Sequence, residues 1–229
     1  MRPLLAVASA TLVGCAAGPR PLPSGGTPGE RLAACEEVVT NAAGLSGSFE
    51  IQSTGAHSAK LTGTLELQQK NALRLVADGT FDGAPVHLEL DARSGELTRS
   101  SSKGASVASH HGPVPAELRA AISVGLVRMG LLHNLAQLSA DEPVDFAEAG
   151  AGVRDALQPL EPMDGGPDSV NGTPCKRVTY ALAVKGTRRA EASVCLAEAT
   201  SLPLERRQTV HFDQGDMSVT ERFTWTTAP

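Results

Sequence analysis

From Gly47 to Ala92, and again from Lys176 to Trp225, apolar side chains recur at every second residue. A period of two commits these stretches to half-buried β-strands, because successive side chains on a strand point to opposite faces. Phe49 and Ile51 open the pattern, followed by Leu61, Leu65 and Leu67, then Leu73, Leu75, Ala77 and Phe81, then Val86, Leu88, Leu90 and Ala92. Matching apolar faces sets the pairings. Leu67 opposite Leu73 puts Leu65 against Leu75, and Phe81 opposite Val86, across Asp82-Gly83-Ala84-Pro85, puts Ala77 against Leu90. A one-residue slip in either hairpin would turn the buried face to water. In the second stretch Val178, Tyr180, Leu182 and Val184 face Ala190, Ala192, Val194 and Leu196, with Tyr180 opposite Ala190. Phe212 opposite Met217 then sets Val210 against Val219 and Leu204 against Trp225. The expected product is an antiparallel meander, apolar on one face and polar on the other.

Two segments carry the helical period instead. Thr27-Pro28-Gly29-Glu30 has the form of a capping box with proline at the first helical position, and Leu32, Cys35, Val39 and Ala42 then share one face, predicting a helix over 28–43. Leu118, Ile122, Leu126, Met129, Leu132 and Leu135 recur at three- and four-residue spacing, widened by Val124, Val127 and Leu131. So broad an apolar arc predicts a helix over 114–139 covered on more than one side. Insertion in a membrane is the weaker alternative, since Arg119 and Arg128 would be costly there. Residues 94–113 read as a Ser-, Gly- and His-rich connection with a weak strand around Leu97, and 140–174 as a loop with one short element near Val153 to Leu157.

The N-terminus says where such a chain would reside. Arg2 is followed by an apolar run, Leu4 to Val13, too short to span a bilayer but of the length of a signal-peptide core. It closes on Leu12-Val13-Gly14-Cys15, which resembles the lipobox of bacterial lipoproteins. The resemblance implies cleavage before Cys15 and acylation of its thiol; a signal peptide with a chance cysteine is the alternative. The expected organisation is a signal peptide over 1–14, a Pro- and Gly-rich tether over 15–27, and a single domain over 28–229. Two or three acyl chains would hold the domain persistently on a membrane. Ala16 after the cysteine resembles the outer-membrane-destined pattern of enteric lipoproteins, facing the periplasm.

A formal charge of −5 with no basic run argues against nucleic acid or anionic lipid headgroups as partners. Only seven residues are aromatic, so the interior must be mainly aliphatic. With Cys15 lipidated, three cysteines remain. The register that sets Tyr180 opposite Ala190 also sets Cys175 opposite Cys195, both on the face away from the apolar residues, which predicts a disulfide stapling the outside of that hairpin. Cys35 is then a buried, inert thiol. A bridge from Cys35 to either partner is the alternative, without a register to support it.

No nucleophile elbow, His-Glu-x-x-His helix, Walker loop, dinucleotide glycine fingerprint or Cys-x-x-Cys occurs. His110-His111 is a poor chelate because adjacent strand residues diverge, and Asp141, Glu142 and Asp145 read as a solvated acidic surface rather than a calcium loop. No metal or other cofactor is expected.

The order of elements (short helix, twisted meander, apolar helix, return to strands) is similar to that of the LolA/LolB superfamily of lipoprotein-carrying folds. The segment Thr200-Ser201-Leu202-Pro203-Leu204 resembles the "T-x-L-P-L" turn common in that group. The resemblance implies an α+β fold in which a strongly curved antiparallel sheet, an incomplete β-barrel, is covered on its concave face by the long apolar helix and the short N-terminal one. It also implies an apolar cavity between sheet and helix that binds or transfers an acyl chain of a lipid or an acylated protein. The candidate lining is Leu61, Leu65, Leu75, Phe81, Ile122, Leu126, Met129, Tyr180, Phe212, Phe223 and Trp225. Residue by residue an ordinary core is the simpler reading, since an apolar stripe needs no ligand to explain it, and a structural lipoprotein that docks an envelope complex is the rival reading. A hydrolase without a recognisable motif is the third.

Overall fold

A computed structural model describes residues 18–68, 71–116, 118–138, 152 and 154–227. Cys15, the signal segment and the acidic stretch with Asp141, Glu142 and Asp145 lie outside the described residues. Eleven strands form one antiparallel sheet: β1 (Gly44–Gly55), β2 (Ala59–Gln68), β3 (Leu73–Phe81), β4 (Ala84–Asp91), β5 (Glu96–Lys103), β6 (Ser106–Pro113), β7 (Leu157–Val170), β8 (Thr173–Val184), β9 (Thr187–Ala197), β10 (Pro203–Phe212) and β11 (Gly215–Thr227). Their order is β6-β5-β4-β3-β2-β1-β11-β10-β9-β8-β7, so two meanders join where β1 pairs with β11, and the sheet curves without closing.

Tight turns set the hairpin registers. The β2–β3 pairing is as expected, with Leu67 opposite Leu73 and Leu65 opposite Leu75. Three other hairpins are shifted by two residues from the expected pairings. Phe81 faces Ala84 rather than Val86, Tyr180 faces Ala192 rather than Ala190, and Met217 faces Val210 rather than Phe212. Asp82-Gly83 and Lys185-Gly186 take positive φ at both positions, the two-residue turn that matches strand twist and leaves no room for a longer loop. Asn171-Gly172 does the same between β7 and β8, so this segment is a hairpin tip. A shift of two preserves which face each side chain takes, and the apolar face therefore survives.

Two strands exceed the sequence expectation. The strand expected around Leu97 is β5, β6 takes the rest of the predicted Ser- and His-rich connection, and β7 occupies much of the predicted 140–174 loop. β7 holds its ladder through register shifts at Leu160/Met163 and Asp164/Gly166, with Glu161 and Gly166 at positive φ, which is why its sequence does not alternate.

Helix α1 (Pro28–Asn41) begins with the expected capping box: the Glu30 amide donates to Thr27 Oγ1 (3.3 Å) and the Thr27 amide to Glu30 Oε2 (2.7 Å). It buries Leu32, Cys35, Val38 and Val39 against the sheet. At its other end the buried Arg119 guanidinium donates to Val39 O (3.1 Å), Ala42 O (2.5 Å) and Gln68 O, satisfying carbonyls that a helix terminus leaves open. The predicted tether is partly docked. The Leu22 amide donates to Glu198 O (2.9 Å), Ser201 Oγ donates to Arg20 O (2.8 Å), and Leu22 packs on the core, so the Thr200–Leu204 turn holds the chain that leads towards Cys15.

The predicted helix over 114–139 is broken. Helix α2 (Leu118–Val124) passes into a π-helical turn, Gly125–Met129; Gly130 stands at φ 103°, and helix α3 (Leu131–Leu138) follows. Side chains from all three helices and from the inner face of the sheet merge into one apolar core.

Candidate functional site: the inner sheet face and its broken helical cover

The inner face is aliphatic along most of its width, and ten of the eleven predicted lining residues meet there. Leu61, Leu65, Leu75, Ile122, Leu126, Tyr180 and Phe223 are buried in the main core, and Phe81, Met129 and Trp225 pack against it partly buried. In the conformation described, these side chains pack together between the layers. Phe212 stands apart: it is 37% exposed at the β10–β11 tip, with its ring edge-on to His57 at 5.6 Å. His57 also stacks on Phe81 (5.8 Å) and lies 3.0 Å from Asp82, so an aromatic rim marks this end of the sheet.

Above this apolar face the break in the cover is held by polar groups. The π turn closes with a Gly130 amide to Gly125 O bond of 2.8 Å. Carbonyls that the break leaves without helical partners are met by side chains. Tyr180 Oη donates to Val127 O and Arg128 O (3.0 Å each), and Arg206 Nη2 donates to Arg128 O (2.8 Å). At the start of α3, Glu221 accepts from the amides of Leu131 (3.0 Å) and Leu132 (2.7 Å). Arg206 and Glu221 face each other across β10 and β11, both about 1% exposed, with Arg206 Nη1 donating to Gln208 Oε1 (2.5 Å). Burial raises the Glu221 carboxyl pKa above its ordinary value, opposed by Arg206 and by the two amides. His133 on α3 is pushed down, by burial first and by Arg206 second.

Gly130 is required twice over. Its φ lies in the left-handed region, and an added Cβ would meet Arg206 Nη1 at 2.7 Å and Glu221 Oε1 at 2.9 Å. On the far side, Arg128 reaches Glu36 of α1 (2.8 Å) and the carbonyls of Arg154 and Leu157 (2.8 Å each), while Arg154 also contacts Glu36 (2.8 Å). Of these polar groups only Tyr180 is among the predicted site residues, and there as an apolar lining residue; Arg128, Arg206, Gln208 and Glu221 are not. Their signal in the sequence is the intrusion of Arg206, Gln208 and Glu221 into inward positions of otherwise apolar alternations.

The outer face carries the disulfide. Cys175 and Cys195 are bridged with Cα atoms 5.5 Å apart, although the shifted register places Cys175 opposite Ala197 and Cys195 opposite Arg177. The bridge is therefore diagonal, and with Val170 and Leu204 it forms a small second core. Cys35 is a free thiol, fully buried, its pKa pushed far up by burial and by Glu36. Nearby, Glu205 is buried on the outer face and contacts Arg177 (3.1 Å), Arg207 (2.8 Å) and Arg222 (3.3 Å). An open groove of about 490 Å³ runs over the outer side of β7–β11, with Met163, Arg188, Glu191 and Arg207 along it.

Three further histidines form surface pairs. His87 lies 2.7 Å from Asp78, His111 3.0 Å from Glu96, and His211 between Asp216 (2.8 Å) and Glu191 (2.7 Å). Among the described residues, no three or more His, Cys, Asp or Glu side chains are grouped to hold a metal ion. No described helix is long and apolar enough to cross a membrane.

No protein-family model matches the sequence, and no curated protein matches it. Among solved structures the chain is similar to the lipoprotein LppX of Mycobacterium tuberculosis, with a TM-score of 0.44 and 12% identity over 88% of this chain and 94% of that one. It is similar to the Pseudomonas aeruginosa MucA/MucB complex with a TM-score of 0.43 and 16% identity, covering 88% of this chain but only 58% of the other. A LolA-superfamily protein from Nitrosomonas europaea gives a TM-score of 0.28 and 8% identity over 89% of this chain and 94% of that one.

Proposed function

We propose that this chain is an envelope lipoprotein, tethered through Cys15, whose domain takes up an acyl chain of a lipid or an acylated protein between the inner sheet face and the α2–α3 cover. The observation that carries the reading is the way the cover is built: a helix broken at a π turn and Gly130, fixed over an aliphatic face by a few polar contacts at the break. An acyl chain sliding beneath the cover exchanges one set of apolar contacts for another, so the lost polar contacts are the main cost of opening. Tyr180, Arg206 and Glu221 then act as a latch, and Gly130 as the hinge. No reacting group is required of the protein, because selectivity comes from shape and from how readily the latch releases. The tether docked by the Thr200–Leu204 turn fits a domain held close to its anchor.

A second reading has its own observation. The inward side chains pack into one buried apolar cluster, as expected of a closed lipoprotein that works through its surface, and the groove over β7–β11 would be the docking face. Native mass spectrometry of the gently purified chain, with lipid extraction, separates the two. Acyl-bearing lipid at near-stoichiometric amounts, lost in Leu126→Trp or Met129→Trp, supports uptake beneath the cover. A mass that stays ligand-free after incubation with lipids and acylated peptides refutes it and favours the closed reading.

A further inference from the structure

Buried cations elsewhere in this fold are neutralised or hydrogen-bonded. Arg119 meets three carbonyls, and Arg206 meets Gln208 and a carbonyl of the π turn. Arg99 is the exception. It is 5% exposed, it sits on the inner face of β5 between the buried Leu97 and Ser101, and its Nε has no hydrogen-bond partner. Across the ladder it faces Leu90 on one side and His110 on the other, so no carboxylate lies opposite it. Among the described residues its guanidinium makes no ion pair. A guanidinium held this way costs stability without return unless something else neutralises it. Its position is also specific: β5 is one strand in from β6, the free edge where the sheet stays open.

We infer that Arg99 is an anion-binding residue on the apolar inner face, taking the carboxylate or phosphate head of an acyl ligand through its paired N–H donors. His110, across the ladder on β6, supplies a second donor. A planar guanidinium matches both head groups in two-point geometry, and the aliphatic side chains of Leu90 and Leu97 flank it where the first carbons of a chain would lie. The inference rests on the acyl-binding reading but is separable from it by experiment.

Calorimetric titration of the full chain with laurate, dodecanol and inorganic phosphate makes the separation. Laurate and dodecanol share a chain length and differ in charge. The expected result is laurate binding roughly tenfold or more tighter than dodecanol, with the difference abolished in Arg99→Met and partly kept in Arg99→Lys. Because the substitution removes an unpaired buried charge, Arg99→Met should also melt no lower than the parent chain in the absence of ligand, which a merely structural arginine would not allow. Equal binding of laurate and dodecanol by the parent chain overturns the inference and leaves acyl uptake standing, and needs no variant. Binding of neither amphiphile, with phosphate bound in an Arg99-dependent way, keeps the anion site and removes the lipid as its source. Binding of none of the three overturns both.

Discussion

Replacing Gly130 with alanine should remove about 2.5–5 kcal/mol of folding stability. Two causes add. The backbone at φ 103° is strained for any residue with a Cβ, at a cost of about 1–2 kcal/mol. The new methyl would stand 2.7 Å from Arg206 Nη1 and 2.9 Å and 3.1 Å from the two Glu221 oxygens, closer than any stable contact. Either the guanidinium or the carboxylate must move, and both are about 1% exposed and hydrogen-bonded. Losing one charge-assisted hydrogen bond in such a site costs about 1.5–3 kcal/mol more. Gly83→Ala carries a backbone cost alone: Gly83 has φ 78°, and nothing lies within 4 Å of the place its new methyl would occupy, so no side chain has to move. Equilibrium urea unfolding of the two variants should therefore differ by about 1.5–3 kcal/mol, a gap in melting temperature of roughly 3–12 °C for a chain of this size. Equal losses in the two variants would refute the claim that Arg206 and Glu221 clamp the break.

Tyr180→Phe removes the hydroxyl that donates to Val127 O and Arg128 O; it should cost about 1 kcal/mol in urea unfolding and speed uptake of a fluorescent fatty acid in stopped flow. Replacing both Cys175 and Cys195 with serine opens a link across 20 residues and should lower stability by about 3 kcal/mol, measured in the same assay. The His211 ring is held above its ordinary pKa of 6.5 by Asp216 and Glu191. Its folded value exceeds the unfolded one, so these contacts are fully present below pH 6.5 and are lost as pH rises through the raised value. An NMR titration should show this midpoint above 6.5, returning towards it in Asp216→Asn. His133 runs the other way: its pKa is depressed by burial, so the stability it confers is complete above pH 6.5 and declines as pH falls towards the folded value, which His133→Gln should abolish in unfolding curves.

The alternation of apolar residues brings the inner face of the sheet into view because burial on one side leaves a period of two in any register. The same fact makes the registers ambiguous. A shift of two residues keeps Phe81, Tyr180 and Phe212 on their faces, so only the turn residues can decide, and Asp82-Gly83 and Lys185-Gly186 with their positive φ values do so. β5 shows only weakly, through Leu97, and β6 escapes detection, because their other inward positions hold Arg99, Ser101, Ala108 and His110 rather than large aliphatic residues. β7 escapes because Pro159, Pro162 and Pro167 and two register shifts erase its period. The cysteine pair is legible through its shared outward face, whereas its diagonal geometry depends on the register. In the helical cover the broad apolar arc is visible, but the break at Gly130 depends on Arg206 and Glu221, which lie far later in the chain. Long-range polar clamps of this kind leave only an indirect trace: Glu221 between Val219 and Phe223 is a charge where an apolar residue belongs.

Photocrosslinking with a fatty acid that carries a diazirine along its chain tests the central claim most directly. Uptake beneath the cover predicts adducts on the segment with Leu126 and Met129 and on the inner-face residues Leu61, Leu65 and Leu75, increased in Tyr180→Phe. Adducts confined to Leu160 and Met163 on the outer face, or no saturable labelling at all, would contradict it.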